Sequence, residues 1–395
     1  MLPPFRVRML PAARPSPVQV ALVTPTGRAF AAERSPLSCL GSGRTAAQAA
    51  RRARAELVER LSGFYRGHEP RVRASWQDIA PRGIHPHDVL LYSRRQYRRG
   101  EAQALDARAR LDWSPLWSIT AAEWRYVPTQ LLYYRYPMRR AHSFGRADSN
   151  GVAAGRTFAA AAARGLLELI ERDSVALWWY NRAPRPRVDL AAAADSWVRR
   201  LSGWHDMIGR ECWALDLTSD LGVPVVAAVS RRRDRDGPEE IVLGFGAHLD
   251  RGRALSRALL EMSQMLAVVE ATRRGELAAP HAARRWWRDA TVRTEPHLVP
   301  NVDRPRAVGR TGRAVAAATV VRRCAARLAE RGLEVLVMDQ TRSGYGLQVA
   351  RVVVPGLRPW HPRFATGRLY DAPVAAGWRG TPLRESQMSR QAIFF

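Results

Sequence analysis

The sequence contains no lysine: all 63 basic residues are arginine, against 36 acidic ones, for a net charge of +27. Every permanently charged side-chain cation is therefore a planar guanidinium. Together with alanine tracts such as Phe158-Ala-Ala-Ala-Ala-Ala-Arg164, this uniformity reads as a compositional bias spread over the whole chain. The charge alone points to nucleic acid or an acidic partner. The arginines are dispersed and no nucleic-acid motif accompanies them, so nucleic acid is not taken as the primary ligand. Cysteine is scarce. Cys39, Cys212 and Cys324 lack metal-ligand spacing, which excludes a disulfide framework and a cysteine zinc site. Long hydrophobic runs are also missing. None approaches the ~20 residues of a membrane span, and Pro and Arg break the N-terminus before a signal-peptide core could form. A soluble, cytoplasmic protein is expected, with no membrane partner.

What is present is a chain of 395 residues, 46% hydrophobic, enough for a sizeable core. The Pro-rich residues 1–25 read as an N-terminal arm and residues 26–395 as one large domain. Helices are expected at 42–65, from near Thr157 to about Asn181, at 253–274 and at 313–331. The segments "PVVAAVS", "EIVLGFGAHL", "LEVLVMDQT" and "LQVARVVVPG" read as strands, with the polar loop "RRRDRDGPE" between the first two. Strands joined by long loops are expected over 66–145, and little order over 275–312. The fold class is α/β, a mixed sheet with packed helices.

The chemistry concentrates in two similar segments. Glu56-Leu-Val-Glu59-Arg60 is echoed by Glu168-Leu-Ile-Glu171-Arg172, and in each the glutamates leave one helix face a turn apart. The third helix adds Arg257 and Glu261, spaced four. Either copy alone reads equally as a solvated face with intrahelical ion pairs. The second copy lies in an apolar run, where clustered carboxylates require cations among them. Mg²⁺ suits an all-oxygen site shared with phosphates, and Arg172 and Arg257 would then hold phosphate oxygens. Trp178 and Trp179 read as core, and Asp173 as the partner of a nearby arginine.

The segments "SNGVAAGRT", "GLLELIERDSVALWWYN", "DLTSDLGVPVVAAVS", "LGFGAHLDRGRALSRALLEMSQ" and "VVVPGLRPWHPRFATGRLYDAPVAAGW" follow one another between about Gly41 and Trp378. In that order they resemble the YcaO superfamily, in particular its thiazole- and oxazole-forming peptide cyclodehydratases. The resemblance implies a YcaO-type fold that binds ATP and Mg²⁺ in a glutamate-lined cleft. It also implies ATP-dependent cyclodehydration of Cys, Ser or Thr in a ribosomal precursor peptide to azolines. Carried over by position, Glu56, Glu59, Glu168, Glu171 and Glu261 fall on the Mg-ATP acidic positions, and Arg172 and Arg257 on the phosphate-binding ones. Five other nucleotide-contact positions differ from the family pattern. Ser42 stands in place of Lys and Arg52 in place of Ser, Arg156 replaces Asn and Ala160 replaces Glu, while Ala153 stands where some members have Ser. The C-terminus "RESQMSRQAIFF" lacks the proline-rich tail of azoline-forming members. Two readings stay open: an active cyclodehydratase subunit with a partly altered nucleotide site, or an inactive paralogue serving as scaffold or precursor-peptide binder. The resemblance further implies a separate leader-peptide-binding partner, since no such domain is fused here. A second YcaO subunit, a flavin-dependent dehydrogenase and a homodimer also fit the resemblance.

Overall fold

The computed structural model describes residues 1–12, 14–26, 37–138, 144–234, 237–308, 312 and 314–393. Residues 139–143 of the expected strand-and-loop span, 235 and 236 of the polar loop and 309–311 of the low-order stretch lie outside it. Three sheets form the frame. In the first, β1 (Phe5–Leu10), β2 (Gln19–Pro25) and β3 (Cys39–Gly43) run antiparallel in that order. Helix α1 (Ala46–Ser62) follows, then β4 (Val72–Ala74) and the short helices α2 (Trp76–Ile79), α3 (Pro86–Leu90) and α4 (Arg94–Arg98). Strands β5 (Leu111–Ser118), β6 (Trp124–Pro128) and β7 (Val152–Gly155) lead into α5 (Phe158–Asn181). Next come β8 (Pro186–Val188), α6 (Ser196–Met207), β9 (Arg210–Asp216), β10 (Val225–Arg232), β11 (Val242–Ala247) and α7 (Arg251–Arg273). The chain ends with α8 (His281–Asp289), β12 (Asn301–Arg306), α9 (Ala317–Ala329), β13 (Leu336–Asp339), β14 (Gln348–Val353) and α10 (Arg368–Ala375). The second sheet has the order β11-β10-β9-β8-β12 and is mixed, with β12 and β8 parallel; the third has the order β4-β5-β13-β14-β7, with β6 on β5.

The α/β reading holds, and two expectations are corrected. Residues 5–10 and 19–25 are not a free arm but two paired strands, and Leu2, Phe5 and Met9 pack on the cluster around Leu57, Val58 and Val349. Within 275–312, α8 buries Ala283, Trp286 and Trp287 on one face, and β12 pairs with β8.

The central helix follows its sequence closely. The Thr157 hydroxyl accepts the Ala160 N–H and caps the start of α5. Arg182, at φ 47°, ends it in the left-handed conformation two residues before Pro184. Trp178 and Trp179 are fully buried core. Asp173 is structural as well: Arg368 reaches both of its oxygens, at 3.0 and 2.6 Å, and also holds Asp220.

The site arises where the sheets end. β3, β7 and β11 are edge strands, each followed at once by a helix that packs on it: α1, α5 and α7. Each helix also touches the next unit's strand, α1 on β7, α5 on β11 and α7 on β3, so the three units close in a ring. Glycine allows this approach. A Cβ on Gly41 would lie 2.2 Å from the Ala53 nitrogen, and one on Gly244 would lie 2.0 Å from that of Met262.

Candidate functional site

A cleft of about 350 Å³ opens inside this ring, lined in part by Glu56, Glu59, Arg60, Tyr134, Ser149, Glu168, Arg172, Glu261 and Trp360. Edge strands leave backbone donors unpaired, and buried donors must be satisfied. Here the carboxylates do it. Glu56 accepts the Leu40 N–H at 3.0 Å, Glu59 that of Ala154 at 2.7 Å, and Glu261 that of Phe245 at 2.7 Å. Glu168 accepts the Gly151 N–H at 3.2 Å. Four glutamates thus face one space, each fixed by a strand or strand-turn amide.

Arginines sit among them. Arg60 donates to Glu56 at 3.2 Å, and Arg172 meets Glu168 and Glu171 at 3.3 Å each. The Arg172 guanidinium lies 3.6 Å above the Trp360 ring centroid, a cation–π contact that fixes its plane. Its buried Nε makes no hydrogen bond and its Nη1 faces the Glu171 carboxylate at 3.3 Å, so the cation is held by its ion pairs and the Trp360 ring. Beside Ser149 and Trp360 in the chain, His361 approaches Asp148 at 3.5 Å.

Desolvation dominates the electrostatics. It pushes Glu59 up to about 8, against the Ala154 hydrogen bond and with added repulsion from Glu56 and Glu168. Glu171 is likewise raised to about 8 by burial, against the pull of Arg172 and with repulsion from Glu261 and Glu168. Burial also raises Glu56, Glu168 and Glu261. A set of carboxylates that resists ionisation in the free protein gains most from a cation.

Of the residues singled out from the sequence, Glu56, Glu59, Glu168, Glu261 and Arg172 line the same cleft. Glu171 is buried beside it, within electrostatic reach of Glu261 and Arg257. Arg257 donates to the Ala247 carbonyl at 2.9 Å, at the end of β11. Ser42 and Ala153 are buried in β3 and β7, and Ala160 lies in the first turn of α5. Arg52 donates to the Ser42 carbonyl at 2.7 Å. Arg156 is exposed just beyond β7 and is not among the cleft-lining residues. Sequence reasoning missed Arg60, Tyr134, Ser149 and Trp360. Arg60 was within reach, as the exact counterpart of Arg172 in the repeated pattern.

The donor set fits Mg²⁺ held jointly with phosphates. The charged oxygen donors that line the cleft are all carboxylates, with the Arg60 and Arg172 guanidinium groups among them. No three His, Cys, Asp or Glu side chains among the described residues form a ready cage for a metal. Mg²⁺ usually takes only one or two carboxylates and completes its shell with water and substrate phosphate.

The fold and site define an α/β protein in which a ring of strand–helix units encloses an acidic cleft threaded with arginines. The family profile described as YcaO cyclodehydratase, ATP- and Mg²⁺-binding, matches residues 40–358. The chain belongs to the YcaO cyclodehydratase family. It is similar to a heterocyclase solved in complex with substrate and cofactor, at 36% identity and TM-score 0.90, over 99% of this chain and 54% of that one. It is similar to the heterocyclase TruD at 41% identity and TM-score 0.77, over 86% of this chain and 50% of the other. The chain thus spans about half the length of these two heterocyclases. YcaO from Methanopyrus kandleri, bound with AMPPCP and Mg²⁺, shares the fold at 24% identity and TM-score 0.65, over 90% of this chain and 86% of that one. No described helix is long and apolar enough to cross a membrane.

Proposed function

We propose that this chain is the cyclodehydratase subunit of a ribosomal-peptide maturation complex, using Mg-ATP to convert Cys, Ser or Thr of a precursor peptide into azolines. The carrying observation is the convergence of Glu56, Glu59, Glu168 and Glu261 with Arg172 in one cleft at the meeting point of three sheet edges. The likeness to heterocyclases over nearly the whole chain supports it. The nucleophilic side chain adds to the preceding amide carbonyl; the amide oxygen then receives the γ-phosphoryl group of ATP and departs as phosphate, leaving the ring. Glu56, Glu59, Glu168, Glu171 and Glu261 would hold Mg²⁺, which would screen the charge of the phosphates, with Arg172 paired to Glu168 and Glu171 among them. Arg172, pinned by Trp360, and Arg257 offset the negative charge of the transferring group.

A leader-peptide-binding partner is part of this proposal, as the resemblance to azoline-forming cyclodehydratases implies. The excess of positive charge suits an acidic leader. A flavin-dependent dehydrogenase acting on the azolines, a second YcaO subunit or a homodimer fits the same assembly. The second reading, an inactive scaffold, is favoured by Ser42 and Ala160, which carry no charged side chain where the family pattern has Lys and Glu. The test is peptide-dependent ATP hydrolysis and loss of water mass from the precursor, with all partners present. Loss of both in a folded Glu168→Ala, Glu171→Ala variant supports catalysis here. Cyclisation that survives in that variant assigns this chain to the scaffold.

A further inference from the structure

The three strand–helix units repeat more than their packing. Arginine is the seventh residue of each helix: Arg52 in α1, Arg164 in α5 and Arg257 in α7. Each donates Nη1 to a carbonyl ten residues earlier, at the end of its own unit's strand. Arg52 reaches Ser42 at 2.7 Å, Arg164 reaches Ala154 at 2.7 Å, and Arg257 reaches Ala247 at 2.9 Å. Four residues further along each helix stands Glu56, Glu168 or Glu261, on the same face one turn on. The ring therefore carries two tiers, glutamates around the cleft and arginines one turn nearer the helix N-termini.

We propose that Arg52, Arg164 and Arg257 form a single polyphosphate-binding collar beside the glutamates, with Arg164 and Arg52 as binding residues in their own right. The inference rests on the Mg-ATP reading above, which already includes Arg257, and adds Arg52 and Arg164 to it. Their placement is fixed by shared partners. The Ala154 peptide gives its N–H to Glu59 and its carbonyl to Arg164, so α1 and α5 are joined through one residue. Arg44, just ahead of α1, donates to the Ser256 hydroxyl at 3.4 Å, beside Arg257 on α7.

Among the described residues none of the three makes an ion pair, whereas Arg60 and Arg172 in the glutamate tier both do. A guanidinium has five N–H donors, and the carbonyl tether uses Nη1, so the remaining donors of each fork stay available to phosphate oxygens. Gathering these cations is unfavourable in the free protein. Desolvation and the charges of Arg164, Arg44 and Arg51 lower Arg52. Desolvation, Arg164 and Arg52 lower Arg257 in spite of the nearby Glu171. An anion of several charges relieves that repulsion.

The experiment is calorimetric titration of the purified chain with Mg-ATP, Mg-tripolyphosphate and AMP, for wild type, Arg164→Gln, Arg164→Lys and the Arg52→Gln, Arg164→Gln double variant. Arg164→Gln is expected to weaken Mg-ATP and Mg-tripolyphosphate about tenfold, and the double variant about a hundredfold. AMP, which lacks the β- and γ-phosphates, stays within about twofold. Arg164→Lys keeps the charge without the fork and falls between. It also serves if the Gln variant does not fold, because the ammonium can keep the Ala154 tether. Unchanged Mg-ATP binding in the variants overturns the collar, and so does an equal loss for AMP. A wild type that binds neither Mg-ATP nor Mg-tripolyphosphate overturns the functional reading with it.

Discussion

Replacing Glu59 by Gln should stabilise the free protein while abolishing its response to Mg-ATP. Glu59 is raised to about 8, first by burial and then by Glu56 and Glu168. Its folded-state pKa therefore lies above the unfolded value of about 4.5. Between these limits the unfolded chain binds fewer protons than the folded one, so stability falls as pH rises and levels off above about pH 8. At about 1.4 kcal/mol per unit, the carboxylate costs at most about 3 kcal/mol near pH 7 and under about 1 kcal/mol near pH 5. Gln keeps the volume and an acceptor for the Ala154 N–H, now 2.7 Å from Glu59, without the charge. The expected gain is about 1–3 kcal/mol near pH 7, growing between about pH 5 and pH 8. Denaturant unfolding in chelator-treated buffer at several pH values measures it, with a parallel series in Mg-ATP. A variant less stable than wild type near pH 8 without Mg²⁺, or a difference independent of pH, would refute the electrostatic account of the cleft.

Binding of Mg-ATP should release about one to two protons near pH 7, because Glu59 and Glu171 must both ionise; titrations in buffers of different ionisation enthalpy read this, and no release counts against carboxylate ligation. Asp173→Asn should destabilise by about 3–5 kcal/mol, since Arg368 loses one of its two buried carboxylates, while nucleotide affinity of the folded fraction stays as in wild type. Gly244→Ala should cost at least about 1–3 kcal/mol and weaken Mg-ATP as well, because the new methyl must push α7, and Glu261 with it, away from β11. Thermal unfolding and calorimetry on the same preparations separate the two effects.

Local features were legible in the chain and closure was not. The hydroxyl of Thr157, the apolar run and Pro184 place α5 to within a residue of its observed bounds. The strand pattern of Phe5, Val7 and Met9 alternating with Arg6 and Arg8 was present but masked by the flanking prolines, and β1 acquires its role only by pairing with β2. In α8, Ala283, Trp286 and Trp287 carry helical spacing, hidden in a nine-residue segment between irregular stretches. The glutamate pairs were visible because i, i+3 spacing is a local property. That Glu56, Glu168 and Glu261 occupy equivalent places in three units was not. Of the arginines four residues before each, Arg257 and Arg52 were singled out and Arg164 was not, since the equivalence depends on which strands end up at sheet edges.

Leu40, Gly151, Ala154 and Phe245 each surrender their N–H to a cleft carboxylate rather than to a neighbouring strand. Ligand occupancy is thereby wired into the backbone at the border of all three sheets. These four amide protons are natural gauges of the loading state: their exchange with solvent should slow when the cleft fills and quicken when it empties. One isotope experiment would follow the nucleotide cycle without any label in the cleft itself.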